Sequence, residues 1–297
     1  MSRRFAILID GTAALSEELA RAYGVRWLPL KVILDGDAYV AVASAAAEGP
    51  GRITTERFYE RIKAKGVVPE TSAPNIEECL TAYDAAIAEG SRDILVLTIA
   101  TELSATYSVA VTTAQQRMDR ARIEVVDSRS LAGGISLVAT ACARLRERGG
   151  SFEEALDLAR RMAGKVHMLA AADMLEYLHR SGRISGGAAL FGTLLSVKPI
   201  LEVADGAVHA IDRVRTREKA SARLRELIAQ RSPDGSRIHA CVLHTNDPEL
   251  ARTLGEWVQA RYHCVEYFMA EAGPVIGARA GPGVIGLCWY AEAEVTG

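Results

Sequence analysis

Phe5-Ala6-Ile7-Leu8-Ile9-Asp10-Gly11-Thr12 is an apolar run of strand length closed by a polar turn, and Leu15, Leu19 and Ala22 recur after it at helical spacing. The order is strand, loop, helix. The same grammar returns at Asp93-Ile94-Leu95-Val96-Leu97-Thr98-Ile99, between helical stretches at about Asn75 to Glu89 and Thr106 to Met118, and again at Ile123 to Val126. Helices rather than hairpin turns separate these strands, which requires right-handed crossovers and a parallel sheet covered on both faces. The first half is therefore expected to be α/β.

Between those strands, Val25 to Leu34 reads as a second strand region ending at the turn Asp35-Gly36, and Ala41 to Gly51 as a mobile alanine- and glycine-rich loop. Thr54 or Thr55 caps a helix through Lys65 that buries Phe58 and Ile62. A helical stretch from Leu131 to Arg148 stops at Gly149-Gly150, and Ser151 with Glu154 forms a capping-box signature for the next helix. The boundary between two domains, 1–150 and 151–297, is placed there, in keeping with a prior of about 150 residues per domain for a chain of 297.

The second half opens with a strand around Val166 to Ala170 and two short helices, one before Ser181-Gly182 and one with Ile184, Ala188, Phe191 and Leu195 on a single face. Pro199 to Val203 and Val208 to Val214 flank the turn Asp205-Gly206 and read as a hairpin, so antiparallel pairing enters here. Helices at Lys219 to Gln230 and Pro248 to Arg261, with strands at His239 to His244, Val265 to Met269 and Val284 to Tyr290, complete an α+β domain with a mixed sheet.

Composition narrows the function classes. The 35 basic and 37 acidic residues leave a net charge of −2 with no basic stripe and no polybasic anchor, so neither a nucleic-acid partner nor stable membrane insertion is expected. No apolar run approaches the ~18 residues of a membrane span. Met1-Ser2-Arg3-Arg4 leads directly into the first strand without an export signal, so a cytoplasmic location is expected. Five scattered cysteines and six dispersed histidines form neither a disulfide framework nor a metal-ligand spacing, and no metal site is expected. Gly281-Pro282-Gly283-Val284-Ile285-Gly286 fits GxGxxG, yet only eleven residues follow it, too few for a dinucleotide fold.

Small hydroxyl residues, by contrast, gather where parallel strands end, the edge at which open α/β sheets bind ligands. Asp10-Gly11-Thr12 follows the first strand, Thr71-Ser72-Ala73-Pro74 precedes a helix, and Leu103-Ser104-Ala105-Thr106-Tyr107 joins a strand to a helix. Helix starts with hydroxyls beside them can cradle a carboxylate or phosphate; helix capping explains the same residues one at a time. Arg183 in Gly182-Arg183-Ile184-Ser185-Gly186, Arg279 in a glycine-rich segment, and the trio Arg213, Arg215 and Arg217 are the candidate fixed cations. The trio alternates along an extended segment and would share one face, either docking an acidic partner or guarding an edge strand.

Ile9-Asp10-Gly11-Thr12-Ala13, Thr71-Ser72-Ala73-Pro74, Leu103-Ser104-Ala105-Thr106-Tyr107, Val126-Asp127-Ser128, Leu175-Glu176-Tyr177-Leu178, Gly182-Arg183-Ile184-Ser185-Gly186, Lys198-Pro199-Ile200-Leu201 and Gly273-Pro274-Val275-Ile276-Gly277 with Gly281-Pro282-Gly283 occur in this order. In that register the chain resembles the DegV family over nearly its whole length. The resemblance implies a two-domain fold related to the dihydroxyacetone-kinase substrate domain, with one long-chain fatty acid between the domains and no other cofactor. It also implies a non-catalytic carrier that presents the acid to a separate ATP-dependent fatty-acid kinase, forming acyl phosphate for phospholipid synthesis.

By position, Thr71 and Ser104 then correspond to the family's carboxylate-binding hydroxyls, with Ser72 adjacent, Arg183 and Arg279 as cations, and Asp10, Thr12 and Thr106 in nearby loops. The acyl chain would lie along Leu169, Met174, Leu175 and Leu178 before Gly182, and Ile184, Leu190, Phe191, Leu194 and Leu195 after it. Departures from the family pattern are Gly11 where a hydroxyl residue is usual, the alanine-rich Ala41 to Gly51 stretch, and Arg279 where the family carries histidine. Two other readings stay open: an enzyme or phosphotransfer subunit using Asp10, Asp127 or Ser128 on a small anionic substrate, and a lipid-responsive regulator.

Overall fold

The computed structural model describes residues 5–41, 51–65, 69–185 and 197–295. The chain runs β1 (Ala6–Asp10), α1 (Glu17–Ala22), β2 (Val25–Leu28), β3 (Lys31–Leu34), β4 (Asp37–Ala41), β5 (Arg52–Ile53), α2 (Thr55–Lys65), β6 (Glu70–Ser72), α3 (Ile76–Ala88), β7 (Asp93–Thr98), α4 (Thr106–Gln115), β8 (Arg122–Asp127), α5 (Gly133–Glu147) and α6 (Phe152–Met162). It continues with β9 (His167–Ala171), α7 (Leu175–Ser181), β10 (Ile184–Ser185), β11 (Lys198–Ala204), β12 (Ala207–Val214), α8 (Arg217–Arg231), β13 (Arg237–His244), α9 (Pro248–Arg261), β14 (His263–Glu271), α10 (Pro274–Ala280), β15 (Ile285–Ala291) and α11 (Glu292–Val295).

The apolar runs of the first half form a four-stranded parallel sheet in the order β2-β1-β7-β8. Period-two alternation sends Ile7 and Ile9 to the core on one face and Leu8, with Ile94 and Val96, to the core under α3 and α4. On the first of these faces lies α5, in which every residue from Gly133 to Ala143 is buried. A helix built mainly of Gly, Ala, Ser and Thr at those positions can be covered on all sides. It packs against β1 and β7 of the first sheet and against β13 and β15 of the second.

The second sheet is mixed, in the order β10-β12-β11-β9-β15-β13-β14, with β13·β14 and β10·β12 parallel and the intervening pairs antiparallel. Both classes of pairing follow from the connections: the Asp205-Gly206 turn has φ of 52° and 81°, the backbone of a tight hairpin, whereas α9 carries the chain over from β13 to β14. One face of this sheet packs on α8 and α9 through Ile200, Val242 and Leu287; the other faces α5.

Three features differ from the expectations above. Val25 to Leu34 is not one strand: it breaks at Pro29-Leu30, and β3 leaves for a small separate sheet, β5-β4-β3-β6. The capping box at Ser151 does open a helix, but α6 packs on β7 and β8, so the chain crosses to the second sheet after Met162 and not at residue 150. Ile184, expected on a helix face, sits in β10 opposite Val208 of β12. The loop expected at Ala41 to Gly51 lies, but for its two end residues, outside the described residues, as do Ala188, Phe191 and Leu195 of the expected second short helix.

Candidate functional site

Between the first sheet's loops, the small sheet and the inner face of the second sheet is a cavity of about 310 Å3. That volume is at the lower end of the ~300–1,000 Å3 range of small-molecule sites. Its long wall is apolar. Met168 and Ala170 of β9, Leu201 and Val203 of β11, Val208 of β12 and Leu243 of β13 face it from the sheet, and α10 adds Val275 and Ile276.

Polar groups collect where loops from separate elements meet. Thr12 comes from the turn after β1, Thr71 and Ser72 from the end of β6, Ser104 from the turn before α4, Arg183 from the turn after α7, and Arg279 from α10. Gly182, left-handed at φ 63°, stops α7 and carries the chain round to Arg183. No Asp or Glu lines the cavity among the described residues.

Hydrogen bonding fixes what each group can offer. Arg279 Nε donates to Thr71 Oγ1 at 3.0 Å and its Nη2 donates to the same oxygen. Thr71 is thereby used as an acceptor, and its own proton remains available to an oxygen in the cavity. Ser104 Oγ accepts the Thr106 N–H at 3.3 Å and lies 2.9 Å from Thr106 Oγ1, so its proton serves either Thr106 or the cavity. Ser72 Oγ donates to Ala73 O at 2.9 Å, which leaves it only lone pairs to present. Arg183 spends one N–H on Ser181 O at 2.6 Å and is otherwise exposed. Burial and the like charge of Arg183 push the Arg279 guanidinium below its ordinary value, with Glu70 opposing; as a guanidinium it stays a cation.

Asp10 holds the loops and does not line the cavity. It is fully buried, with Oδ1 accepting the Thr12 N–H at 2.7 Å and Oδ2 the Ile99 N–H at 3.4 Å. Burial raises its pKa, and the Thr12, Ile99 and Thr106 contacts pull it back. Thr12 Oγ1 lies close to that carboxylate without completing a well-formed hydrogen bond. Asp127 and Ser128 do comparable work: Asp127 accepts from the backbone of Thr101 and Arg129, and Ser128 from that of Ser130. These are loop-fixing contacts for all three of the residues that a catalytic reading would use.

Of the expected tail residues, Leu178 and Ile184 line the cavity. Leu169 does not. It alternates to the opposite face of β9 and packs with Ile200, Leu224 and Leu287, while its neighbours Met168 and Ala170 face the cavity. Met174 precedes α7 and is 38% exposed, and Leu175 opens α7 without reaching the cavity. Leu190, Phe191, Leu194 and Leu195 lie outside the described residues. Residues of β9, β11, β12 and β13 make up the wall that sequence reasoning passed over; the alternation of Leu201 and Val203 was the available signal.

The arginine trio divides. Arg213 in β12 and Arg215 after it are exposed, and neither makes a side-chain ion pair among the described residues. Arg217 is instead the first residue of α8 and turns back to pair with Asp173, at 3.2 Å, and with Asp247. It ties the start of α7 to α8 and α9 and does not continue the stripe.

No described helix is long and apolar enough to cross a membrane. The family described as "Uncharacterised protein, DegV family" matches residues 4–292. A DegV domain-containing protein of Streptomyces coelicolor is 34% identical over 288 residues, spanning 97% of this chain and 98% of its own. The crystal structure of DegV from Bacillus subtilis, described as a fatty acid binding protein, is similar at a TM-score of 0.86 and 28% identity, covering 98% of this chain and all of that one (100%). A DegV family protein from Thermus thermophilus, described by its fatty acid binding, reaches a TM-score of 0.85 at 29% identity over 97% of this chain and 99% of its own. The chain belongs to the DegV family.

Proposed function

We propose that this protein binds one long-chain fatty acid, holding the carboxylate with Thr71, Ser104, Arg183 and Arg279, beside Ser72, and laying the hydrocarbon along Leu178, Ile184 and the inner face of the second sheet. The observation that carries this reading is that one cavity joins a cluster of donors, with no Asp or Glu in its lining among the described residues, to an apolar sheet face. A carboxylate removed from water needs several directed donors, and an acyl tail adds about 0.8 kcal/mol per buried methylene. The two fatty-acid-binding relatives named above support the same ligand class.

In this reading the protein is a cytoplasmic, non-catalytic carrier subunit. It presents the bound acid to a separate ATP-dependent fatty-acid kinase, and the acyl phosphate enters phospholipid synthesis. Arg213 and Arg215, exposed together on β12 and beyond, form the docking strip for an acidic kinase surface. Native mass spectrometry of gently purified protein tests ligand binding: a mass increment equal to one fatty acid is expected. Only apo mass, together with no fatty-acid uptake in solution, would sink the proposal. Acid phosphorylation that requires both added kinase and ATP, and that Arg213→Glu with Arg215→Glu slows without loss of bound acid, is the expected result for the carrier role.

A further inference from the structure

The body of the second sheet is backed by α8 and α9, but one part of the cavity wall extends past that support. β11 pairs with β9 only as far as Glu202, opposite Leu169; beyond it β11 and β12 run on as a two-stranded arm, with Val203 opposite Val208 and Ala204 opposite Ala207. Both valines line the cavity. On its outer side the arm meets only the two residues of β10 among the described residues, and no residue of β12 is fully buried. A two-stranded hairpin with so little support is marginally stable in water. The register shifts between Ile200 and Leu201, where β12 inserts Ile211, so a bulge sits at the root of the arm and bends it. Below the bulge the hairpin is fixed: Asp212 pairs with Arg223 at 2.6 Å, and Lys198 with Asp173 at 3.1 Å.

The tip of the arm rests on loops of the first sheet. Gly206 is buried there, so close to Glu102 that a Cβ on it would lie 2.9 Å from Glu102 Cδ. Beside it Asp205 accepts from Arg129 at 3.4 Å, a weak surface pair whose aspartate side chain is 94% exposed. Glu102 belongs to the loop that brings Leu103 and Ser104 to the cavity, so the tip closes the gap between that loop and the apolar wall. The opposite wall is held more firmly, with α10 locked to α2 and the small sheet through the buried Phe58, Tyr59, Val275 and Ala278. We infer that residues 203–209 are a flap, hinged at the bulge and latched by Glu102 and Arg129, that lifts from the first sheet's loops for an acyl chain to enter or leave. This rests on the cavity being a lipid site, as proposed above.

The test joins tip to loop by a disulfide, with Glu102→Cys and Gly206→Cys in the full-length protein. Oxidised glutathione closes the bond and dithiothreitol reopens it. Gly206 is left-handed at φ 81°, so cysteine there is strained, but the reduced form of the same variant carries that strain too and serves as its control. Stopped-flow fluorescence follows release of cis-parinaric acid into excess palmitate, and the oxidised form should release it at least about tenfold more slowly than the reduced form. Arg129→Ala with Glu102→Ala removes the latch without new cysteines, and decides the matter should the disulfide not close. Uptake and release should then both quicken about fivefold while the dissociation constant stays within about twofold, because a gate acts on both directions alike. Equal release from the oxidised and reduced forms, or a latch-free variant with the parent's rates, overturns the inference, while parinarate binding to the parent leaves the fatty-acid reading intact. Parinarate that does not bind the parent removes that reading and the flap with it.

Discussion

Thr71→Val isolates one hydroxyl. Valine has nearly the shape of threonine and the same branching at Cβ, so the edge strand β6, where residue 71 pairs with Val32 of β3, should keep its conformation. What disappears is the oxygen that accepts from Arg279 Nε at 3.0 Å, and with it the proton that this arrangement leaves for the ligand. A hydrogen bond to a charged group contributes about 1.5–3 kcal/mol. At ~1.4 kcal/mol per decade, fatty-acid affinity should fall roughly 10- to 150-fold. Arg279 offsets part of this loss, because a guanidinium without its hydroxyl acceptor can turn an N–H to the carboxylate, which sets the expectation near the lower limit. Titration with palmitate at pH 8 measures the ratio, and thermal unfolding of the ligand-free variant checks that the scaffold is intact. A dissociation constant within about twofold of the parent, in a variant of unchanged stability, would remove Thr71 from the binding reading; a half-exposed polar change of this kind is otherwise within ~0.5 kcal/mol for folding.

Gly277→Ala should destabilise by about 1–3 kcal/mol through overpacking. The new Cβ would lie 2.4 Å from Tyr59 Oη and 3.0 Å from Phe58 Cε1, both on buried rings of α2 with no room to retreat. Denaturant unfolding gives the value, and an unchanged midpoint would contradict the packing described. Glu266→Gln tests the junction of α5 with the second sheet, where the carboxylate accepts from Tyr23, Thr140 and His239 and pairs with Arg144. Burial tends to raise the Glu266 pKa, but His239 and Arg144 outweigh it and hold the carboxyl below its ordinary value. The folded chain thus binds this proton less readily than the unfolded one, so the stabilisation is present above ~pH 4.3 and lost as pH falls through the folded-state value. The variant should be less stable than the parent at neutral pH by about 1–3 kcal/mol, the cost of a lost buried partner, and the difference should narrow as pH falls; a pH-independent difference would argue against the charge being responsible. Finally, affinity in a saturated fatty-acid series should rise about fourfold per methylene until the slot is full. Ala170→Leu, on the cavity wall opposite Leu201, should move that limit to shorter chains, and an unmoved limit would place the tail elsewhere.

Elements with a strong period and local punctuation were legible from the sequence. The parallel strands β1, β7 and β8, the hairpin at Asp205-Gly206, and the capping box at Ser151 follow from residues within a few positions of each other. What escaped depended on distance or phase. Val25 to Leu34 is apolar on both sides of Pro29, and only the loss of a backbone donor there separates a strand of the parallel sheet from one of the small sheet. Met168 to Ala172 is apolar throughout, so alternation cannot reveal which residues face the ligand; tertiary packing put Met168 and Ala170 on the cavity and Leu169 on α8. Arg217 reads as the third member of a stripe until Asp173 and Asp247, distant in sequence, capture it. Thr71 and Ser104 both line the cavity, but Thr71 lies in antiparallel β6 and not at the end of a parallel strand, and its hydrogen bond with Arg279 joins residues 208 apart and has no local signature.

Head and tail of the proposed ligand would be held by different parts of the chain, and this division decides what each can contribute. The apolar wall belongs to a continuous sheet whose opposite face is packed on α8 and α9, so it is a rigid surface whose contribution grows with every methylene covered. Two of the proposed head-group donors, Ser104 and Arg183, sit on turns, which would be poor at holding an anion if each were free to move. Asp10 counters that freedom: one buried carboxylate ties the turn after β1 to the backbone at the end of β7, and its contact with Thr106 reaches the residue that orients Ser104. Arg279 does the equivalent for β6 by fixing Thr71 from α10. Binding strength would then come mainly from the sheet, while these two struts fix the donors that an acidic head would meet.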